Sequence, residues 1–144
     1  MLKALFALIS AALFAGAALY AMLAEHPARM TLDDRSALGQ WQRSNRSASS
    51  LYMILALVSM ILGAWTWWKT KDDAMLIGAL LLGGALVVTF LVIAPVGRRL
   101  ESTASDPASV SGRDLLARWS GLHAFRTLLA IGAVIAYLIA FLWP

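Results

Sequence analysis

The sequence predicts an all-α integral membrane protein: a four-helix transmembrane bundle with a short interfacial helix in the first loop. Three observations predict it. Uncharged apolar runs at 4–24, 47–68, 74–96 and 127–143 make up more than half of the 144 residues. Each is close to the length that crosses a hydrocarbon core of about 30 Å at about 1.5 Å per residue. The composition, 60% hydrophobic and 14% charged with a mean hydropathy of +0.73, is that of no ordinary soluble domain. A bilayer offers no water to the backbone, so each run must pair its own N–H and C=O groups as an α-helix.

The elements follow in order. Residues 1–24 have the layout of a signal peptide, with Lys3 ahead of an apolar stretch, but their spanning length marks them as the first transmembrane helix. Ala12, Ala15, Gly16 and Ala17 are small enough to let a neighbouring helix approach. Pro27 pushes the residue before it out of the α region, so the helix is expected to break near His26. Thr31 is placed to cap a short helix starting at Leu32, with Asp33 and Asp34 in its first turn. Leu38 and Trp41 lie one turn apart on it, which reads as an interfacial helix bent at Gly39.

The second span ends in Trp65, Trp67 and Trp68 followed by Lys69 and Lys71, an interfacial belt. The link at 69–73 is short enough to make spans two and three an antiparallel hairpin. Gly78, Gly83 and Gly84 are packing positions in span three, and Pro95 is expected to close it. A loop rich in Ser, Asp and Pro follows at 97–112. Ser111 with Asp114 resembles an N-cap and its acidic partner. A helix over 112–143 would be about 48 Å long, so its first turns should leave the hydrocarbon, with the span proper near 120–143. Residues 1–144 thus form one domain.

Charge and composition exclude several functions. The net charge of +4 comes from residues flanking spans, so the bilayer and no nucleic acid is the expected partner. The absence of cysteine removes disulfides, thiolate metal sites and cysteine nucleophiles. No HExxH, paired Glu-x-x-His or glycine-rich phosphate loop occurs. Lys3, Lys69 and Lys71 lie on the side of the termini, and every arginine lies on the side of the two long loops. The positive-inside rule puts those loops in the cytoplasm and both termini outside, in a bacterial inner membrane.

The two histidines, His26 and His123, both fall on the loop side. At about 100° per residue, Trp119, His123 and Arg126 lie within about 60° of one another. The same stripe continues through Ala130 and Ala133 to Tyr137, so a pocket between helices one and four is expected there. Singly, each residue has an ordinary explanation: Arg126 as a snorkelling side chain, Trp119 as an interfacial anchor, His26 at a helix end. Glu25, His26, Arg29, His123 and Arg126 together at one end of a small bundle point to function. Two histidines fall short of a zinc site unless Glu25 is a third ligand, and they hold haem only from opposite faces.

At these residues the chain resembles a family. Glu25-His26-Pro27-Ala28-Arg29 after the first span, Trp41 with Arg43 and Arg46, Ile93-Ala94-Pro95 ending in Leu100, and Trp119, Leu122-His123 and Arg126 are similar to the blocks of the anthrone oxygenase-like family of small four-span membrane proteins. Where that family often carries Asn two residues after the proline, this chain has Gly97, and Asn45 is a candidate to replace the amide.

The resemblance implies oxidation of an anthrone, or another hydrophobic aromatic or quinone-like substrate, by O2. Such chemistry needs a base, a cation for the enolate oxygen and an apolar slot. His123 or His26 suits the first, Arg126 or Arg29 the second, and Trp119, Trp41 and Tyr137 the third, with Glu25 and Asn45 as polar substrate contacts. No metal is strictly required. In a metal-dependent version, His26 and His123 would hold haem or copper. The competing readings are a non-catalytic haem-, metal- or lipid-binding protein and a structural subunit or homo-oligomer built on small-residue faces, in which bulky replacements at Gly16 or Gly83 would break the assembly.

Overall fold

A computed structural model describes residues 1–104 and 112–143. Helix α1 runs over Leu2–Met30, α2 over Asp34–Thr70, α3 over Asp73–Thr103 and α4 over Gly112–Leu142. All four are long and apolar enough to cross a membrane, and the described residues contain no strand. The protein is an integral membrane helical bundle. Helix α1 packs on α2 and α4, and α3 packs on α2 and α4, so the helices go round the bundle in chain order.

Neither proline ends its helix, contrary to the sequence expectation. In α1 a π-helical turn, Ala21–Glu25, comes before His26-Pro27, and the His26 N–H reaches back to the Ala21 carbonyl. In α3 the same device recurs as Thr89–Ile93 before Ala94-Pro95, with the Ala94 N–H on the Thr89 carbonyl. A proline cannot donate to the carbonyl four residues back and collides with it. Widening the preceding turn relieves that collision and keeps the backbone satisfied in lipid. Helix α3 therefore continues through Gly97, where a loop was expected. Ser111, the expected cap, lies outside the described residues.

The first loop is shorter than expected, and no separate interfacial helix exists among the described residues. Thr31 ends α1, its hydroxyl donating to the Ala28 carbonyl at 2.8 Å. Asp33 is the cap of α2, its carboxylate accepting the Ser36 N–H at 3.1 Å. The side-chain and backbone hydrogen bonds from Ser36 hold the Asp33 carboxyl below its ordinary range. Helix α2 then runs unbroken through Gly39 into the second span. Leu38 and Trp41 are buried because α2, α3 and α4 all extend past the apolar runs and build a second core with Leu100, Leu116 and Trp119. Arg113 clasps this end, donating to Asp34 at 2.7 Å and to the Met30 and Leu32 carbonyls.

The first core is built from alanines of α1 and α4 (Ala7, Ala11, Ala130, Ala133) with Phe14 and Tyr137. Small side chains let these helices approach closely. Ser59 of α2 adds a buried hydrogen bond to the Ala7 carbonyl at 2.6 Å. Of the glycines expected to pack, Gly78 is the tight one; Gly83 and Gly84 leave ordinary room for a methyl group, and Gly16 faces nothing within the bundle. At the end of the termini, Lys3 lies over Trp65 and Lys71 over Trp68.

Candidate functional site

The site lies where the two cores meet. His123 and Arg126 share a face of α4 one turn apart, and both are nearly sealed, at 1% and 5% exposed. Trp119 stacks on the His123 ring at 4.9 Å, and Tyr52 meets that ring edge-on at 5.8 Å. An Arg126 guanidinium nitrogen lies 2.7 Å from His123 Nδ1, and the other terminal nitrogen lies 3.4 Å from the Thr89 hydroxyl. The guanidinium carbon sits 4.8 Å from the Tyr52 ring centre and 5.5 Å from that of Phe14.

These contacts settle the histidine tautomer. A guanidinium has donors only, so His123 Nδ1 must be the unprotonated acceptor. The ring proton is then on Nε2, which donates to the Ala18 carbonyl of α1 at 3.3 Å. His123 is a neutral imidazole with both nitrogens engaged.

Arg126 forms one wall of a cavity of about 230 Å³. Phe14, Tyr52 and Leu86 line its apolar part, and Asn45, Ser49, Arg98 and Glu101 its polar part. Thr89 and Ile93, at either end of the α3 π turn, also face it, so the widened turn shapes the wall. Residues of all four helices contribute, whereas the sequence pointed to helices one and four. Among the described residues Arg126 has no acidic partner, whereas Arg29 pairs with Glu25 and Arg113 with Asp34. Its Nε–H is buried without an acceptor.

Arg29 is in a different position. It is 2% exposed and paired, at 2.7 Å to Glu25, with further hydrogen bonds to Gln40 and to Ser44. It lies over Trp119 at 5.8 Å and does not line the cavity. Glu25 is likewise committed, accepting from both Arg29 and Gln40. Trp41 is fully buried and meets Trp119 edge-on at 5.9 Å, one layer behind the cavity wall. His26 is half-buried, and no hydrogen bond or ring contact joins it to His123. Tyr137 lies deep in the first core, donating to the Ser59 carbonyl at 3.1 Å, and does not reach the cavity.

Asn45 and Gly97 line the same cavity. Asn45, the candidate to replace the missing amide, thus shares a cavity with Gly97. Tyr52, Phe14 and Thr89 were not singled out from the sequence. Each sits inside an apolar run, where nothing in spacing or composition separates a cavity wall from a lipid face.

Haem or copper at His26 and His123 does not fit this donor set. Ligation through His123 would need a lone pair that Arg126 already occupies, and would strip the guanidinium of its best hydrogen bond. Among the described residues no group of three or more His, Cys, Asp or Glu residues is gathered in one place.

The family model for anthrone oxygenase matches residues 38–136. The chain belongs to the anthrone oxygenase family. The matched segment holds Trp41, Asn45, Trp119, His123 and Arg126, and with them most of the cavity; Glu25, His26 and Arg29 precede it. No curated protein and no solved structure gives a match. In this anthrone oxygenase-family chain, the residues brought together at the cavity are therefore those of the matched helices and Phe14.

Proposed function

We propose that the protein is an oxygenase that oxidises a flat, hydrophobic, enolisable aromatic of the anthrone type with O2, in the cavity beside Arg126. The observation that carries this reading is a buried guanidinium, paired with no carboxylate, on the wall of a cavity that also presents the rings of Phe14, Tyr52 and Trp119. A buried charge is expensive unless something compensates it. An enolate oxygen is such a compensating group, formed during the reaction and absent before it.

The chemistry needs few parts. The ring CH2 of an anthrone loses one proton, and Glu101, a carboxylate that lines the cavity, takes it. The enolate oxygen rests against Arg126, which lowers the energy of the anion. Electron density at the deprotonated carbon forms a C–O bond with O2. Loss of the second ring hydrogen with cleavage of the O–O bond leaves a new carbonyl and releases water. One O2 is consumed per anthrone, with one oxygen atom in the quinone and the other in water. Trp119, Tyr52 and Phe14 hold the flat ring and keep water away from the anion.

The reading includes orientation: the arginine-rich loops face the cytoplasm and the lysine-bearing termini face out. The test uses the full chain in detergent with anthrone, following O2 uptake and quinone absorbance. Arg126→Gln should lower kcat by about 10²–10³-fold, the size expected for losing an oxyanion donor. It should remain folded, because a neutral amide is cheaper to bury than a guanidinium. Wild-type turnover in Arg126→Gln refutes the assignment. Binding of anthrone by the wild type with no O2 uptake would make this a binding protein.

A further inference from the structure

We propose that the cavity selects a monoanionic ligand, and that His123 creates this selectivity as a neutral positioning residue that holds Arg126 without cancelling its charge. The inference deepens the oxygenase reading and rests on it for the identity of the ligand, an enolate or phenolate on a flat ring.

Every contact that fixes Arg126 is uncharged. His123 Nδ1 takes one N–H at 2.7 Å and the Thr89 hydroxyl another at 3.4 Å. The remaining contacts are the faces of Tyr52 and Phe14. These groups orient the guanidinium without giving it a counter-charge, in a cavity whose other charged lining residues, Arg98 and Glu101, are opposite in sign. The more usual way to hold a buried arginine is a bidentate carboxylate, which would fix it equally well and neutralise it. This chain uses that arrangement for Arg29 with Glu25, one layer away, and Arg29 does not line the cavity.

The Ala18 carbonyl is part of the device. By accepting from Nε2 at 3.3 Å it keeps the ring proton on the far nitrogen. The stack on Trp119 at 4.9 Å and the Thr127 hydroxyl on the His123 carbonyl at 2.8 Å hold the ring in place. His123 is thus neither base nor metal ligand: the lone pair either role would need is spent on Arg126.

Asparagine and aspartate separate the charge of the acceptor from its shape. Both place a side-chain oxygen near the position of His123 Nδ1, and both lose the ring equally. The probe is 2,4-dinitro-1-naphtholate, a flat phenolate ionised at neutral pH, with its neutral O-methyl ether as control. Binding to the full chain in detergent is read by quenching of tryptophan fluorescence.

Wild type should prefer the phenolate to the ether by at least about tenfold, the ratio one charge-assisted contact supplies. His123→Asn should keep most of that preference and His123→Asp should abolish it. Thr89→Asp, which leaves His123 intact and puts a carboxylate at the other guanidinium contact, should also abolish it. That variant decides the matter if neither His123 variant folds. Retained preference in either aspartate variant, or equal loss in His123→Asn and His123→Asp, overturns the proposal. Phenolate selectivity as stated, with no oxidation of anthrone by the wild type, would sink the oxygenase reading and leave the anion site standing.

Discussion

Gly78→Ala should destabilise the bundle, and the sign of that effect should depend on Tyr137. A Cβ at Gly78 would lie 2.6 Å from Tyr137 Cδ1 and 2.8 Å from Cζ, with Cε1 closer still. The ring cannot move aside. Gly63 of α2 also meets it, where a Cβ would lie 2.8 Å from Cζ, and the ring is fully buried. Its hydroxyl is tied to the Ser59 carbonyl at 3.1 Å. Overpacking of this kind costs about 1–3 kcal/mol. Alanine is favoured over glycine in a helix by about 1 kcal/mol, which offsets part of it. The net expectation is a loss of about 1–2 kcal/mol. In a Tyr137→Ala background the clash is gone and only the helix preference remains. The same Gly78→Ala change should then be neutral or stabilising by up to about 1 kcal/mol. Unfolding in mixed micelles by added denaturing detergent, run on all four chains of this cycle, measures both numbers. If Gly78→Ala stabilises the wild type, or destabilises the Tyr137→Ala protein as much as it does the wild type, the claim that two glycines clamp this ring is wrong.

Other predictions are simpler. Glu25→Gln leaves Arg29 buried without its counter-charge and should cost about 1–3 kcal/mol, discounted because the Glu25 side chain is 22% exposed; the same unfolding titration reads it. Ser59→Ala removes a buried hydrogen bond between α2 and α1 and should cost about 0.5–1.5 kcal/mol. Gly97→Ala should stabilise by up to about 1 kcal/mol, since Gly97 is inside a helix and a Cβ there meets Trp41 at an ordinary 3.8 Å; a lower melting temperature would contradict it. The Asp33 carboxyl, depressed by Ser36, contributes stability that is present above its unfolded pKa and is lost as pH falls through the folded value. Acid should therefore loosen the first turn of α2, seen as faster amide exchange, and Asp33→Asn should remove that pH dependence.

Much of the fold was legible because the bilayer allows little choice. An uncharged run of spanning length has to be a helix, and short links force antiparallel neighbours. Helix ends were harder to read. Pro27 and Pro95 carry the local signature of a helix end, but a π turn ahead of each lets the helix continue. Leu38 and Trp41 look amphipathic on their own, and only the overlength partners α3 and α4 turn that face into a core.

At the site, the spacing of Trp119, His123 and Arg126 on one helix was sufficient to group them. The same stripe extended to Tyr137, because helical periodicity gives direction around an axis and says nothing about which neighbour stands there. Tyr137 meets two glycines and fits a core; Arg126 meets rings, a hydroxyl and a neutral imidazole and faces a cavity. Arg29 and Arg126 were equivalent candidates by residue type and depth. Their difference lies in one partner, Glu25, which is four residues from Arg29 on its own helix and has no counterpart beside Arg126.

That this chain is a four-span helical membrane protein of one family, with its polar residues at one end, was readable from the chain alone. Those properties follow from hydropathy, span length and local motifs, which act along the chain. Which buried arginine lacks a carboxylate, which nitrogen of His123 carries the proton, and which rings line the cavity came from how the helices pack. Each of these depends on groups from different helices, such as the Ala18 carbonyl against His123 and Thr89 and Tyr52 against Arg126. Electrostatics and packing at such distances are set by which helix faces meet.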